Sequence, residues 1–238
     1  MLVKTKGIVF HSIKYSETSI ITKIFTQTHG LQSYIVNGVR STRAKGKASL
    51  FQPLNILDLE IYKREDKNLQ RLREYKMGYV FHTIPFDIYK ISLLLFLAEV
   101  LYKTIKEEEA NEALFHFIEQ TIVTLDQTKQ STGNYHLTFL LQLSEHLGFF
   151  PHGDFSETLP CFDLMEGQYC ASIPDHPHYI EPPLSRLFFE ISMDNRSIIF
   201  GGAERNMLLD KILEYYRLHI SSFSEIKSHK VLHLVFEE

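Results

Sequence analysis

Cysteine is nearly missing from this 238-residue chain. Only Cys161 and Cys170 occur, too few for a disulfide framework and suited to a reducing compartment. Long apolar runs are missing as well. The longest, residues 91–102 (ISLLLFLAEVLY), is well short of the roughly 20 residues of a membrane span, and Glu99 within it fits a buried helix better. The first residues, MLVKTKGIVF, have neither an apolar segment leading to a small-residue cleavage site nor the Arg/Ser bias of a transit peptide. Cytoplasmic residence, without a membrane partner, is therefore expected. Familiar catalytic signatures are absent too: there is no G-x-x-x-x-G-K-[ST], no H-E-x-x-H and no G-x-S-x-G. The chain shows no internal repeat, low-complexity segment or linker.

One local absence is the most informative. Between Val39 and Leu50 stand Arg40, Arg43, Lys45 and Lys47 with no acid among them. A loop so dense in positive charge repels itself unless it only faces water or meets something anionic. The net charge of -4 argues against nucleic acid, but it hides an asymmetry. Through Val80 there are 14 Lys+Arg against 6 Asp+Glu, a balance of +8; the remainder has 11 against 23, a balance of -12. A small basic module joined to a larger acidic body is the pattern of a polyanion-binding domain carried on a part that does not bind.

The basic part alternates β-branched and aromatic residues, which predicts strands at about residues 4–14, 18–27, 31–39, 54–63 and 69–76. Gly30 supplies a turn between the second and third. Five strands in fewer than 80 residues, with a long loop after the third, match the Greek-key barrel called the OB-fold, with an SH3-like barrel close behind. After residue 80 the apolar period changes to three and four. Helices are expected over 86–105, 109–127, 134–147, 183–194, 203–220 and 225–236, the first apolar nearly all round and so central to a bundle. The fold class is therefore α+β: an OB barrel over residues 1–80, then a helical domain over 81–238. An irregular insertion at 149–183 carries a short hairpin, CFDLMEGQYC.

Arg71 and Arg73 lie two apart on a predicted strand and so point to one face. With Lys67 and the loop cations Arg40, Arg43, Lys45 and Lys47 they would form a groove for phosphates. Tyr15, Tyr34, Phe51 and Tyr75 are candidate stacking platforms, although strand aromatics more often fill cores. Cys161, Cys170, His176 and His178 make a C-x8-C-x5-H-x-H set that could hold zinc. Structural zinc sites space paired ligands two to four residues apart, so two ordinary thiols across a hairpin are expected, and no cofactor. Asp58 and Glu60 could be the carboxylates of a metal-dependent nuclease, but a third acid is missing nearby and a solvated strand face is the simpler reading. The helix start after Gly201 and Gly202 reads as a plain turn and cap.

The ordered set Gly7, Tyr15 with Glu17, the Thr-x-x-x-Gly turn ending at Gly30, Gly38–Arg40 (GVR) and Gln52–Leu54 (QPL) resembles the N-terminal domain of the bacterial RecO family of DNA repair proteins. The tail LEYYRLHISSFSEIKSHKVL is similar to that family's ending. The resemblance implies an OB-fold joined to a helical domain in a non-enzymatic mediator of recombinational repair, working at the bacterial nucleoid. Such a mediator would bind single- and double-stranded DNA through the basic barrel and anneal complementary strands. It would also contact RecR and the C-terminal tail of the single-strand binding protein, and so help load RecA onto coated strands. Some relatives carry a four-cysteine zinc module in the helical domain; this chain has only Cys161 and Cys170 there, so its hairpin is expected to fold without metal. An OB-fold that binds structured RNA remains the alternative within the same fold.

Overall fold

The computed structural model describes residues 2–41, 44, 46–63, 67–130, 132–193 and 201–236. Arg43 and Lys45, two of the loop cations, lie outside the described residues. By contact density the chain divides into two compact units, Met1–Thr128 and Lys129–Glu238. The first two helices group with the barrel.

Five strands form the first unit's barrel: β1 (Leu2–Lys14), β2 (Ile20–Thr26), β3 (Gly30–Val36), β4 (Ile56–Tyr62) and β5 (Leu69–Met77). They close in the order β1-β2-β3-β5-β4, with β1 antiparallel to both β2 and β4. The closing pair, β3 with β5, is parallel. That crossover is what the long connection after β3 makes possible, since parallel neighbours cannot be joined by a tight hairpin. The result is the OB-fold.

Alternation along each strand decides which side chains fill the barrel. Val9, Ile20, Ile24, Tyr34, Val36, Val39, Phe51, Leu57, Leu59 and Ile61 form one buried core, with Leu72, Tyr75 and Met77 packed against it. Burial of each such side chain contributes about 1.5–3 kcal/mol. Three of the four candidate stacking aromatics are thus core residues: Tyr34 is fully buried, Phe51 nearly so, and Tyr75 meets Phe51 edge to face at 4.9 Å. Gly7 is confined to its place, because a Cβ there would lie 2.6 Å from both Ile24 and Leu59 side-chain atoms.

Two irregularities turn side chains outward. Register shifts between Val9 and His11 on β1, where Phe10 is inserted. It shifts again on β5, so that Arg73 and Glu74 both stand exposed between the inward Leu72 and Tyr75. An extra residue in one strand switches the alternation beyond it. Without this bulge Tyr75 would leave the core.

Helices α1 (Ile88–Thr104) and α2 (Glu112–Gln127) complete the unit. Asp87 caps α1 by accepting from the backbone N–H groups of Tyr89 and Lys90, and Asn111 caps α2 through Leu114. Within the first unit α1 packs on β1 and α2 and is mostly buried, with Ile88 and Leu95 exposed. The link from barrel to α1 is fastened by the buried Asp126 carboxylate, which accepts from the Tyr79 hydroxyl and from the N–H groups of His82, Thr83 and Ile84 at 2.9–3.1 Å. Lys90, also buried, donates to the Asp126 and Thr128 carbonyls and the Thr83 hydroxyl.

The second unit contains α3 (Tyr135–His146), the short strands β6 (Cys161–Asp163), β7 (Gln168–Cys170) and β8 (Tyr179–Ile180), then α4 (Leu184–Ser192), α5 (Gly202–His219) and α6 (His229–Phe236). The expected hairpin gains a third strand, in the order β7-β6-β8. Phe162 is its apolar anchor, fully buried against Phe188 at 4.7 Å and Tyr169 at 4.9 Å. Tyr215 and Tyr216 of α5 donate to the carbonyls of Phe149 and Leu140, tying the segment after α3 to that helix pair.

Candidate nucleic-acid interface

Each barrel strand also has an outward row, and the helices divide that outer face in two. On one half, Phe10 stacks on Phe25 at 5.6 Å, and Phe25 meets Phe115 of α2 at 6.0 Å. Leu31, opposite Phe25, is buried where its N–H donates to the Glu107 carbonyl in the loop between α1 and α2. The register then runs His11↔Lys23↔Ser33↔Leu69, a margin where His11 stacks on Tyr102 of α1 at 4.6 Å. The next row is Ile13↔Ile21↔Ile35↔Arg71. Within the first unit no helix among the described residues covers it: Ile13 is 50% exposed, Ile21 and Ile35 are half-buried, and Arg71 is exposed.

Cations border this open row. Arg40 is exposed, and its N–H and guanidinium donate to the carbonyls of Thr18 and Ser16, both at 3.0 Å. This ties the loop after β3 to the β1–β2 loop, where Tyr15 is 59% exposed. Arg40 and Arg71 have no carboxylate within 4 Å among the described residues. Arg73 shares the outward direction of Arg71, as its spacing predicts, but lies 3.6 Å from Glu60 and is in part neutralised. Lys47, at the start of a single 3-10 turn (Lys47–Phe51), and Lys67, just before β5, are exposed.

The acids proposed for a nuclease are engaged otherwise. Glu60 pairs with Lys4 at 3.2 Å as well as Arg73, and Asp58 pairs with Lys76 at 3.6 Å. Across the described residues there is no group of three or more His, Cys, Asp or Glu side chains that could hold a metal ion.

In the hairpin, Cys161 faces Cys170 across β6 and β7, and the Cys170 thiol donates to the Cys161 and Ser172 carbonyls. Burial pushes both thiols up, helped by Glu181 at Cys161 and by Cys161 and Asp163 at Cys170. The two imidazoles point to carboxylates rather than to sulfur: His176 Nε2 lies 3.3 Å from Asp163, and His178 Nδ1 lies 2.7 Å from Glu214. The set Cys161, Cys170, His176 and His178 is therefore not gathered into one site.

Residue reasoning had missed Ile13, Ile21, Ile35, Lys23, His11 and Tyr102. Alternation identifies the outward rows, but only the packing of α1 and α2 says which half stays open.

A closed five-stranded barrel in the order β1-β2-β3-β5-β4 defines a class of protein, the OB-fold domains. Comparison with known sequences narrows it. The family descriptions "Recombination protein O N terminal" and "Recombination protein O C terminal" match residues 1–81 and 85–228. "DNA repair protein RecO" of Bacteroides fragilis is 39% identical over 242 residues, covering 100% of both chains. The proteins of that name from Phocaeicola vulgatus and Flavobacterium johnsoniae are each 37% identical, over 99% of this chain and all of theirs. The chain belongs to the RecO family.

Proposed function

We propose that this chain serves DNA repair as a non-enzymatic recombination mediator, binding DNA on the open half of the barrel and annealing complementary strands. The observation that carries this reading is the open row itself: Ile13, Ile21 and Ile35 uncovered beside Arg71 and Arg40, neither arginine having a carboxylate partner among the described residues. Membership in a family whose relatives are named for DNA repair supports it.

The chemistry follows from the residue types. Arginines neutralise phosphates without reading bases, and an aliphatic ridge accepts any base face. Binding is then sequence-tolerant, with counterion release as its main term. Two strands held at reduced charge repel each other less, so annealing needs no bond made or broken. Lys47, Lys67, Arg73 and, outside the described residues, Arg43 and Lys45 extend the positive field. The acidic remainder, residues 81–238, would repel DNA overall, and it is offered as the docking part for RecR and for the single-strand binding protein's tail. Through these contacts RecA would be loaded.

The test is annealing of two complementary oligonucleotides precoated with single-strand binding protein, at two salt concentrations. Acceleration that fades with salt is expected, and Arg40→Glu with Arg71→Glu should slow it tenfold or more. Acceleration by that variant equal to wild type removes the open row from the site. No acceleration at either salt concentration rejects the mediator role. Competition by structured RNA, if it displaced single-stranded DNA, would redirect the reading to the RNA-binding alternative.

A further inference from the structure

The margin between the covered and open halves holds a cluster that the reading above does not use. The Nζ of Lys106, just beyond α1, lies 5.1 Å from the centroid of the Tyr102 ring, and the Nζ of Lys23, on β2, lies 5.8 Å from it. His11 stacks on the same ring. Two ammonium groups and an imidazole ring thus converge on one phenol, and neither lysine has a carboxylate within 4 Å among the described residues. Nearby Lys103 is held by Glu99 at 2.8 Å, and the Glu107 carboxylate accepts from the backbone N–H of Lys106.

Bringing two ammonium groups to one ring costs Coulomb energy that the ring's negative face offsets only in part. The crowding shows in Lys106, whose acidity is raised by burial and then by Lys23 and Lys103. What remains is an electropositive spot anchored from three sides: by the β1–β2 register at His11 and Lys23, by the Tyr102 ring, and by the Lys106 ammonium bonded to the Tyr102 carbonyl at 2.6 Å. A phosphate drawn to that spot would be attracted by both ammonium groups.

We propose that Lys23 and Lys106, gathered on Tyr102, form a second phosphate subsite that carries the nucleic-acid track across the sheet from Arg71 to the end of α1. The proposal rests on the nucleic-acid reading of the open row. Arg71 and Lys23 sit two strands and two residues apart on one face, about 12 Å from standard strand spacing and rise. The aliphatic residues Ile35 and Ile21 lie between. A single strand crossing that ridge would meet a cation at each side, with bases on the ridge and phosphates at its margins. The helical part would then contribute to DNA binding despite its acidic balance.

The experiment is the salt dependence of single-stranded oligonucleotide affinity, measured by fluorescence anisotropy for wild type, Lys23→Gln with Lys106→Gln, and Lys23→Arg with Lys106→Arg. One phosphate contact predicts that the glutamine variant loses about 0.7 from the slope of log K against log salt, while the arginine variant retains it. A glutamine variant with the wild-type slope overturns the subsite. If that happens while Arg40→Glu with Arg71→Glu still abolishes binding, the open-row reading stands and only this extension falls. Wild-type protein without salt-dependent binding overturns both.

Discussion

The two halves of the barrel's outer face are built from the same kinds of residue and end differently. Ile8, Phe10, Phe25 and Leu31 are buried on one half, while Ile13, Ile21 and Ile35 keep part of their surface in water on the other. Strand chemistry does not separate them, since both are rows of large apolar side chains. What separates them is the cover. On the first half, α2 brings Phe115 and the α1–α2 loop lends its carbonyls; on the second, no described residue of α1 or α2 does the same. The result is a row of partially exposed aliphatic side chains in register with Arg71, and neither Arg71 nor Arg40 has a carboxylate within 4 Å among the described residues.

The comparison breaks first where the cover is attached. Gly30 has a left-handed backbone, φ +61°, and a Cβ there would lie 2.2 Å from the Glu109 carbonyl oxygen and 2.8 Å from that of Glu107. Only glycine allows the β2–β3 turn to touch that loop. Gly30→Ala should therefore destabilise the protein by about 3 kcal/mol or more through strain and displaced backbone. It should also raise amide exchange at Leu31, whose N–H bonds the loop. A variant as stable as wild type in urea would mean that the cover is not held there.

A smaller effect comes from the other end of the cover. Burial opposes ionisation of Asp126, but the N–H donors of Ile84, His82 and Thr83 and the Tyr79 hydroxyl outweigh it and hold the carboxyl at about 2. In the unfolded chain it titrates near the usual value of about 3.9. A carboxyl depressed in the folded state contributes stability above the unfolded pKa and loses it as pH falls through the folded one. The contribution, about 2 kcal/mol, should be full above about pH 5 and disappear between about pH 4 and pH 2. Asp126→Asn should lower stability by that order at pH 7 and flatten the acid limb of the denaturation curve. Parallel acid limbs for the two proteins would place the protonation elsewhere.

The sequence revealed the barrel and the helices through their periods, because alternation of two and of 3.6 are local properties. It also revealed that Arg71 and Arg73 share a side. It could not reveal the bulge that sends Arg73 and Glu74 out together, since a register shift depends on the partner strand. Tyr34, Phe51 and Tyr75 resembled stacking platforms because an aromatic on a strand is the same in either direction, and here the direction is inward. Asp126 was invisible as a latch. Its donors lie more than 40 residues upstream, and no spacing rule links a helix end to a connector that far away. Lys23 and Lys106 were likewise separated until α1 brought Tyr102 between them.

The smallest effect is expected in the hairpin, where chemistry-capable side chains are satisfied within the fold. Burial keeps both thiols protonated at neutral pH, and the Cys170 thiol already donates to the carbonyls of Cys161 and Ser172 at 3.5 and 3.2 Å. A serine hydroxyl is a donor of similar reach, so Cys170→Ser should change stability by less than about 0.5 kcal/mol. Oligonucleotide binding should be unchanged, and a chelator such as EDTA should leave the melting temperature of wild type where it was. The three readouts act together. Loss of more than about 2 kcal/mol in the variant, or a chelator-induced fall in melting temperature, would mean that the sulfurs hold a metal or a bond to each other. In that case the hairpin, and not only the barrel, would have to be counted among the regions whose side chains are kept for something other than the fold.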